Sequence, residues 1–218
     1  MTEYVELYVK RDRGWPWPEE SWGLTPMFGE DGWCHTCGVP RHAQTGSIVL
    51  QRKGLTVKGA WVPNWLFDVF CLESSLAEKV GSIFDLDLRP VARPRTSPGA
   101  AMQIVVPTVG KSWFDEDLLR AQAIAEHGVS GAACPECGVW RWMPLLFDTL
   151  PPLQIVPGLG GVDIAASPEW FGDGLKAFRK ILVRRELAEL LVAASPRDFK
   201  IRPVPSAGCH QPLPKVRP

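Results

Sequence analysis

Two eight-residue stretches, WCHTCGVP at residues 33–40 and ACPECGVW at residues 133–140, carry the same Cys-x-x-Cys-Gly-Val motif. We call them the first and the second knuckle. A pair of thiolates at this spacing can hold one side of a tetrahedral metal, because the turn between them brings backbone N–H groups towards sulfur. The glycine after each pair permits the positive φ that closes the turn. The four thiolates of a closed structural Zn²⁺ site are therefore predicted to be Cys34, Cys37, Cys134 and Cys137.

Other uses of these thiols stay open at this level. Iron is the main chemical alternative, because rubredoxins also use paired C-x-x-C-G turns, although their pairs lie closer together in shorter chains. Two separate reducible thiol pairs, or a degenerate site without metal, are further alternatives. A redox C-x-x-C normally opens a helix after a strand, whereas both knuckles are followed by residues typical of irregular or extended chain.

The remaining cysteines and nearby histidines fit the site less well. Cys71 lies in the apolar run FDVFCLES and is predicted to be a buried small hydrophobe. Cys209 and His210 belong to a proline-rich tail, which is expected to be mobile. His35 lies inside the first knuckle, but four cysteines already complete a tetrahedron, so we expect it to be exposed or outside the ligand set.

Composition narrows the class of protein. The chain has 218 residues, with 24 basic and 24 acidic side chains and no net charge, which argues against a general polyanion binder. It contains no apolar run of the roughly 18 residues that a membrane span needs. The N-terminal stretch is charged and alternating rather than a signal peptide, and the paired cysteines suit a reducing compartment. We therefore predict a cytoplasmic protein.

Short sequence words recur in the same order in the first and the second half of the chain. Besides the knuckle, they are Pro-x-Trp, Leu-Ala-Glu and Arg-Pro-Val. They begin at Pro63, Leu76 and Arg89 in the first half, and at Pro168, Leu187 and Arg202 in the second. Four ordered matches favour an internal duplication in which each half contains a knuckle and a strand-helix-strand unit.

This pattern predicts an α+β fold with a mixed or antiparallel sheet and one shared four-cysteine site. The first half covers residues 1–93 and the second half covers residues 94–204, followed by a flexible tail at 205–218. The halves are expected to pack as one domain. The linker candidate between them is RPVARPRTSPGAAM.

Local patterns place individual elements. A helix is predicted over SWFDEDLLRAQAIAEHG, with Ser112 as its cap and Gly128 as its stop. Over residues 171–194, apolar residues from Phe171 to Leu182 share one helical face, and those from Leu187 onwards share a second, rotated face. A break near residues 181–184 is favoured over one long buried helix.

On the residues of the two C-x-x-C-G motifs and the terminal stretch ILVRRELAELLVAASPRDFKIRPV, the chain resembles the double-CXXCG proteins. These are bacterial paralogues, prominent in myxobacteria, that include immunity proteins against swarm-inhibition (Sit) toxins. The resemblance spans roughly residues 30–204. It implies a cytoplasmic, non-catalytic protein, and an immunity role would mean binding and blocking a cognate toxin.

Three classes of function are compatible with these residues. The favoured one is a zinc-stabilised protein that binds a protein partner, with a toxin as the candidate, because no catalytic motif is recognisable. An enzyme would have to use the acids Asp115, Glu116 and Asp117 together with His127. A zinc-ribbon nucleic-acid-binding protein is the alternative; it would use Trp140 and Trp142 for stacking and a basic stripe of Arg93, Arg95, Lys111, Arg141, Lys176, Arg179, Lys180, Arg184 and Arg185.

The partner surface is predicted from the ten tryptophans. Trp65 and Trp170 recur between the halves and are expected in the core. The stretch GWPWPEES is locked by proline and is acidic, which is typical of an exposed recognition loop. The predicted partner-binding residues are Trp15, Trp17, Glu19 and Glu20.

Overall fold

A computed structural model of the chain describes residues 3–11, 16–51, 58–93, 101–175 and 177–205. Within these ranges the fold is α+β, as predicted. The strands are β1 (Tyr4–Val9), β2 (Ala60–Trp61), β3 (Phe70–Glu73), β4 (Asp87–Pro90), β5 (Ala101–Val105), β6 (Gly131–Ala133), β7 (Trp140–Trp142), β8 (Ile164–Phe171), β9 (Phe178–Arg184) and β10 (Phe199–Pro203). The helices are α1 (Leu24–Phe28), α2 (Ser74–Gly81), α3 (Glu116–His127) and α4 (Arg185–Ala194).

The strands form two sheets. One has six strands in the order β10-β1-β9-β8-β7-β6, and the other has four in the order β2-β3-β5-β4. Neighbours are antiparallel throughout, except that β7 and β8 run parallel. The prediction of mixed or antiparallel sheet is confirmed.

Four strands of each sheet follow one scheme. The order β10-β1-β9-β8 in the larger sheet corresponds to β4-β5-β3-β2 in the smaller one, and all the pairings involved are antiparallel. The strand-helix-strand units are β3-α2-β4 in the first half and β9-α4-β10 in the second. In each unit the two strands are not neighbours but leave a gap for one strand between them. The gap in the second half is filled by β1 from the first half, and the gap in the first half is filled by β5 from the second half.

The register of these central strands is also the same. Val5 of β1 pairs with Pro203, and Met102 of β5 pairs with Pro90, so each central strand meets the proline of an Arg-Pro-Val word. On its other side, Val5 pairs with Val183 of β9, and Met102 pairs with Leu72 of β3. Val183 and Leu72 are each the last residue but one of their strand. The two sheets therefore match residue by residue around their centres.

The main hydrophobic core belongs to both halves. Helices α2 and α4 contact each other, and each packs on its own sheet. The core cluster contains Val5, Leu72 and Leu76 from the first half together with Val183 and Leu187 from the second, all at most 7 % exposed. Burial of these apolar side chains is the main force that holds the halves together.

The segment from residue 171 to 184 departs from the expected helical face. Phe171 ends β8, β9 begins at Phe178, and the chain turns helical only at Arg185. The predicted break near residues 181–184 is therefore confirmed, since the apolar run KILVR, which is rich in β-formers, lies at the end of β9, whereas the shared helical face of Phe171 to Leu182 does not correspond to a helix. Strand β9 has sheet neighbours on both edges and buries Ile181, Leu182 and Val183 in succession. A strand buried on both faces gives a continuous apolar run, which periodicity alone does not separate from a helix.

Helix α3 forms where it was predicted, but its cap is different. The side chain of Asp115, not of Ser112, accepts a hydrogen bond from the Leu118 N–H, at 3.0 Å. The Ser112 hydroxyl instead lies within hydrogen-bonding distance of two acceptors, the Phe114 carbonyl at 2.7 Å and the Glu169 carboxylate at 3.0 Å. Gly128 ends the helix with a φ of 78°, as predicted.

The two matched tryptophans also differ from expectation. Trp65 is 50 % exposed, so its assignment to the core is wrong. Trp170 is half-buried and packs against the knuckle cluster. Cys71 is fully buried, as predicted. Among the residues that the structure describes, no helix is long and apolar enough to cross a membrane.

Candidate metal centre

The four motif cysteines come together although the knuckles lie 100 residues apart. The Sγ atoms of Cys34 and Cys134 are 3.7 Å apart, and those of Cys37 and Cys137 are 3.6 Å apart. All four sulfurs lie within 4.8 Å of one another. The predicted clustering of the four cysteines is confirmed, and they are positioned to hold a metal ion.

The two knuckles have the same backbone geometry. The Gly38 N–H donates to the Cys34 carbonyl and the Gly138 N–H to the Cys134 carbonyl, at 2.7 and 2.9 Å. The two glycines have φ angles of 74° and 73°, in the left-handed region that glycine adopts without steric cost. In each knuckle the first cysteine N–H also donates to the carbonyl of the valine five residues on, at 2.9 Å.

Backbone donors point at the first sulfur of each pair. They come from Thr36 and Cys37 towards Cys34, and from Glu136 and Cys137 towards Cys134. The N–H of Cys137 is the main cause that lowers the pKa of Cys134 to about 6. Burial dominates in the first knuckle, where it raises the pKa of both Cys34 and Cys37.

These residues fit a tetrahedral thiolate site. With Zn–S bonds near 2.3 Å, the edge of a regular tetrahedron is about 3.8 Å. The two measured sulfur pairs come close to that edge, and the other separations stay below 4.8 Å. Three of the cysteines are buried and the fourth, Cys137, is half-buried, which is typical of a closed structural site rather than one open to substrate.

A polar contact beside the cysteines links the two knuckles directly. The carboxylate of Glu136 accepts hydrogen bonds from the Thr36 hydroxyl at 2.7 Å and from the Arg41 guanidinium at 2.8 Å. The Thr36 hydroxyl is the main cause of a lowered pKa at Glu136. Sequence reasoning missed this link; the available signal was that Thr36 and Glu136 occupy the same position in the two C-x-x-C turns.

The first knuckle is the more deeply packed of the two. Val39, Val139, Trp170 and Ala177 form the apolar surroundings of the cysteines. The Ala177 N–H donates to the Cys37 carbonyl at 3.3 Å, so the segment before β9 covers the first knuckle. Apolar packing of this kind limits the access of water to the sulfurs.

The other candidate ligands lie elsewhere. His35 is exposed, stacks on Trp33 and makes a hydrogen bond with the Glu30 carbonyl at 2.8 Å. Cys71 belongs to a different core cluster. Cys209 and His210 lie outside the described residues.

The predicted partner surface is described only in part. Trp15 falls outside the described residues. Trp17 is half-buried, with its ring centroid 5.9 Å from that of Trp22. Glu19 is half-buried and Glu20 is exposed, with a φ of 45°. The role of these residues in partner binding stays a prediction.

The acids and the histidine considered for catalysis have local structural contacts. Asp115 caps α3, and Glu116 pairs with Arg120 at 2.8 Å one turn later. The His127 ring makes a hydrogen bond with the Pro144 carbonyl. The acids and the histidine are all exposed: Asp115, Glu116, Asp117 and His127.

Four of the described members of the proposed basic stripe are already paired or buried. Arg179, Arg184 and Arg185 make ion pairs with acidic side chains, and Lys180 is buried. Of the two stacking candidates, Trp142 is buried and Trp140 is partly exposed, with Arg120 lying 5.4 Å from both rings. Arg95 and Lys176 lie outside the described residues.

No protein-family model matches this chain, and neither a comparison with curated proteins nor one with solved structures finds a match. The function is therefore inferred from the residues and their geometry.

Proposed function

We propose that this chain is a non-catalytic, cytoplasmic binding protein whose two halves are clamped by one structural Zn²⁺ ion. The observation that carries the proposal is the cluster of four thiols, with sulfur pairs at 3.6 and 3.7 Å contributed equally by two distant knuckles. A metal held there closes a long chain loop, and the stabilisation from such a closure grows with loop length.

We further infer that the fold arose by duplication, with the central strand of each half exchanged between the halves. The support is the shared strand order, the shared register around β1 and β5, and the matching knuckle turns. A duplicated unit brings its two C-x-x-C turns to the junction between the copies. The result is a four-thiolate site that neither copy can complete alone.

Metal analysis tests the clamp. Protein purified without chelator is expected to contain a single zinc ion per chain, and Cys134→Ser is expected to lose it. The free energy of unfolding then falls by several kcal/mol, since structural zinc contributes about 10 kcal/mol or more in zinc-finger peptides. Cys71→Ala is the matched control, because it removes a buried thiol outside the cluster and is expected to keep its zinc.

The metal itself is identified by its spectrum. Zinc-loaded protein has no visible absorption, whereas iron bound by four thiolates is coloured. Protein with neither metal, and with unchanged stability after Cys134→Ser, would contradict the clamp. Stoichiometric iron would leave the clamp in place and replace zinc as its metal.

The binding role rests on the resemblance to the double-CXXCG proteins, and it favours a protein toxin as the partner. The test is co-expression of this chain with a toxin encoded beside its gene, with cell growth and co-purification as readouts. Rescue of growth together with a stable complex supports an immunity role. Survival without any complex, or no rescue, contradicts it. A Trp15→Ala/Trp17→Ala double variant tests the predicted surface in the same assay.

A further inference from the structure

A large cavity lies away from the cysteine cluster, at the end of the central strands of the larger sheet. Its volume is about 760 Å³, within the range of small-molecule binding sites. It is lined by residues of strands β1, β9 and β10 and of the segments at residues 61–67, 144–147 and 172–175. Neither the metal centre nor the predicted partner surface accounts for it.

The walls of this cavity are rich in aromatic side chains. Its aromatic lining consists of Tyr8, Trp61, Trp65, Phe67, Phe70, Phe147, Phe178 and Phe199. Three apolar residues at the cavity, Trp65, Phe67 and Leu146, are each about half exposed, at 50, 51 and 53 %. Large apolar side chains left in contact with water around a concavity are typical of a surface that an apolar ligand covers.

Most charged groups in the lining are already balanced. Arg11 pairs with Asp198 at 2.9 Å, and Arg179 pairs with Asp68 at 3.5 Å. The carboxylate of Glu6 lies 4.0 Å from the guanidinium of Arg202. The lining also contains an exposed carboxylate, Asp173.

Lys180 is different from these groups. It is only 8 % exposed, and its ammonium lies 5.0 to 5.5 Å from the ring centroids of Phe147, Phe171 and Phe178. It donates to the Leu145 carbonyl, but it has no carboxylate within 4.0 Å among the described residues. Burial lowers its pKa to about 8, and the more distant charges of Glu6 and Asp148 only partly offset that effect.

The lining also contains buried polar atoms without a hydrogen-bond partner among the described residues, namely Trp61 Nε1, Arg179 Nε and Glu6 Oε2. The indole N–H of Trp61 has no acceptor in the part of the chain that the structure describes, although the residue is only 4 % exposed. A buried donor without an acceptor is costly. The cavity thus combines a desolvated cation and a spare donor with apolar walls.

We propose that this cavity binds a small carboxylic acid with an aromatic or branched hydrocarbon body, whose carboxylate pairs with the ammonium of Lys180. A carboxylate supplies the missing opposite charge and an acceptor oxygen, and the hydrocarbon body covers the exposed aromatic side chains. A single negative charge fits better than a phosphate dianion. Phosphate sites gather several donors, whereas here the arginines are paired and Glu6 and Asp173 repel a second negative charge.

The test compares an acid with its neutral analogue on the intact zinc-loaded protein. The probes are 4-phenylbutyrate and 4-phenylbutan-1-ol, with naphthalene-2-acetate as a second acid. Binding is measured by calorimetry and by the fluorescence of Trp61 and Trp65, which line the cavity. The acids are expected to bind saturably at one site, and 4-phenylbutyrate at least tenfold more tightly than the alcohol.

Two variants assign the selectivity to this cavity. Lys180→Met keeps the length of the side chain and is expected to reduce acid affinity to that of the alcohol, while alcohol affinity stays unchanged. Lys79→Met, on the exposed face of α2, is the matched control and is expected to bind as wild type does. Should Lys180→Met fail to fold, Leu146→Asp changes only an exposed residue of the lining and is expected to weaken acid binding more than alcohol binding.

Three outcomes would overturn the proposal. They are no saturable binding of either acid, equal affinity for acid and alcohol in the wild type, and acid selectivity that persists in the folded Lys180→Met protein. Loss of zinc after Cys134→Ser bears on the clamp alone, so failures of the two proposals are distinguishable.

Discussion

The two glycines that follow the C-x-x-C pairs share a conformation but not an environment. A Cβ atom at Gly38 would lie 2.1 Å from the Leu175 carbonyl oxygen, whereas at Gly138 no atom outside the immediate neighbours lies within 4 Å. Gly138→Ala therefore costs only the left-handed strain, about 1 kcal/mol, while Gly38→Ala adds overlap with a fixed backbone and costs roughly 3 kcal/mol. Chemical denaturation of both zinc-loaded variants measures the difference. Equal losses would show that the deep packing of the first knuckle contributes nothing to stability.

Among single residues, Lys180 is also expected to make the free energy of unfolding depend on pH. The pKa of its ammonium is about 8 in the folded protein, against an ordinary value of 10.5. Below pH 8 the lysine is charged in both states, and the folded state bears the full cost of the buried charge. Between pH 8 and 10.5 the unfolded chain binds more protons, so the free energy of unfolding rises with pH.

As pH rises, the free energy of unfolding of the wild type is expected to increase relative to that of Lys180→Met. Between pH 7 and 10 the shift amounts to roughly 2 to 3 kcal/mol, from the two pKa values. The comparison removes the titration of groups that do not interact with Lys180, and the charges of Glu6 and Asp148 already enter the pKa of about 8. Urea unfolding at several pH values measures it, with Lys79→Met, which removes an exposed lysine, as the control. A difference that is independent of pH would mean that Lys180 is not desolvated.

At the scale of elements, the sequence predicts what depends on neighbouring residues. The knuckle turns, the helices α2, α3 and α4 and the strand β1 all lie where local pattern places them, because glycine conformation, caps and side-chain period are local properties. The four-cysteine cluster was predictable for another reason. Each C-x-x-C pair offers only half of a tetrahedron, so two identical pairs point to each other.

The matched Pro-x-Trp words show where such reasoning fails. Ala60 pairs with Leu72 of β3, and Ile164 pairs with Val183 of β9. Because Leu72 and Val183 are equivalent, Ala60 and Ile164 are equivalent too. Trp65 lies five residues beyond the first, and Trp170 lies six beyond the second, across a bulge between Ala166 and Trp170. Strand β2 ends at Trp61, so Trp65 lies in a turn with a φ of 64°, whereas Trp170 lies within the longer strand β8. Trp65 lines the cavity and is half exposed, although the repeated word suggested the core.

The exchange of β1 and β5 could not be read from the sequence at all. Both segments carry the alternation of an ordinary strand, and alternation identifies a strand without identifying its neighbours. The choice of neighbour follows from register, core volume and the position of the helices. These depend on residues more than 90 positions away in the chain, as in the pairing of Val5 with Val183 and Pro203.

At the scale of the whole molecule, the exchanged strands make the halves interdependent. A fragment of residues 97–218 lacks β1, which lies between β9 and β10 in the sheet. A fragment of residues 1–96 lacks β5, which lies between β3 and β4. Each fragment also carries only two of the four thiols. Because unpaired strand edges and half of a shared core cannot offset the entropy of folding, we expect neither fragment to fold alone.

Mixing the two fragments in equal amounts with Zn²⁺ is expected to restore a folded one-to-one complex. Size-exclusion chromatography and the dispersion of amide NMR signals measure the outcome. Cys34→Ser in the shorter fragment removes a thiol without touching either exchanged strand, so it separates the metal from strand pairing. If strand exchange dominates, this variant still forms the complex but with lower affinity; if the metal is indispensable, the complex is lost. A fragment of residues 97–218 that folds alone would contradict the exchange, because β9 and β10 would then need no strand from the first half.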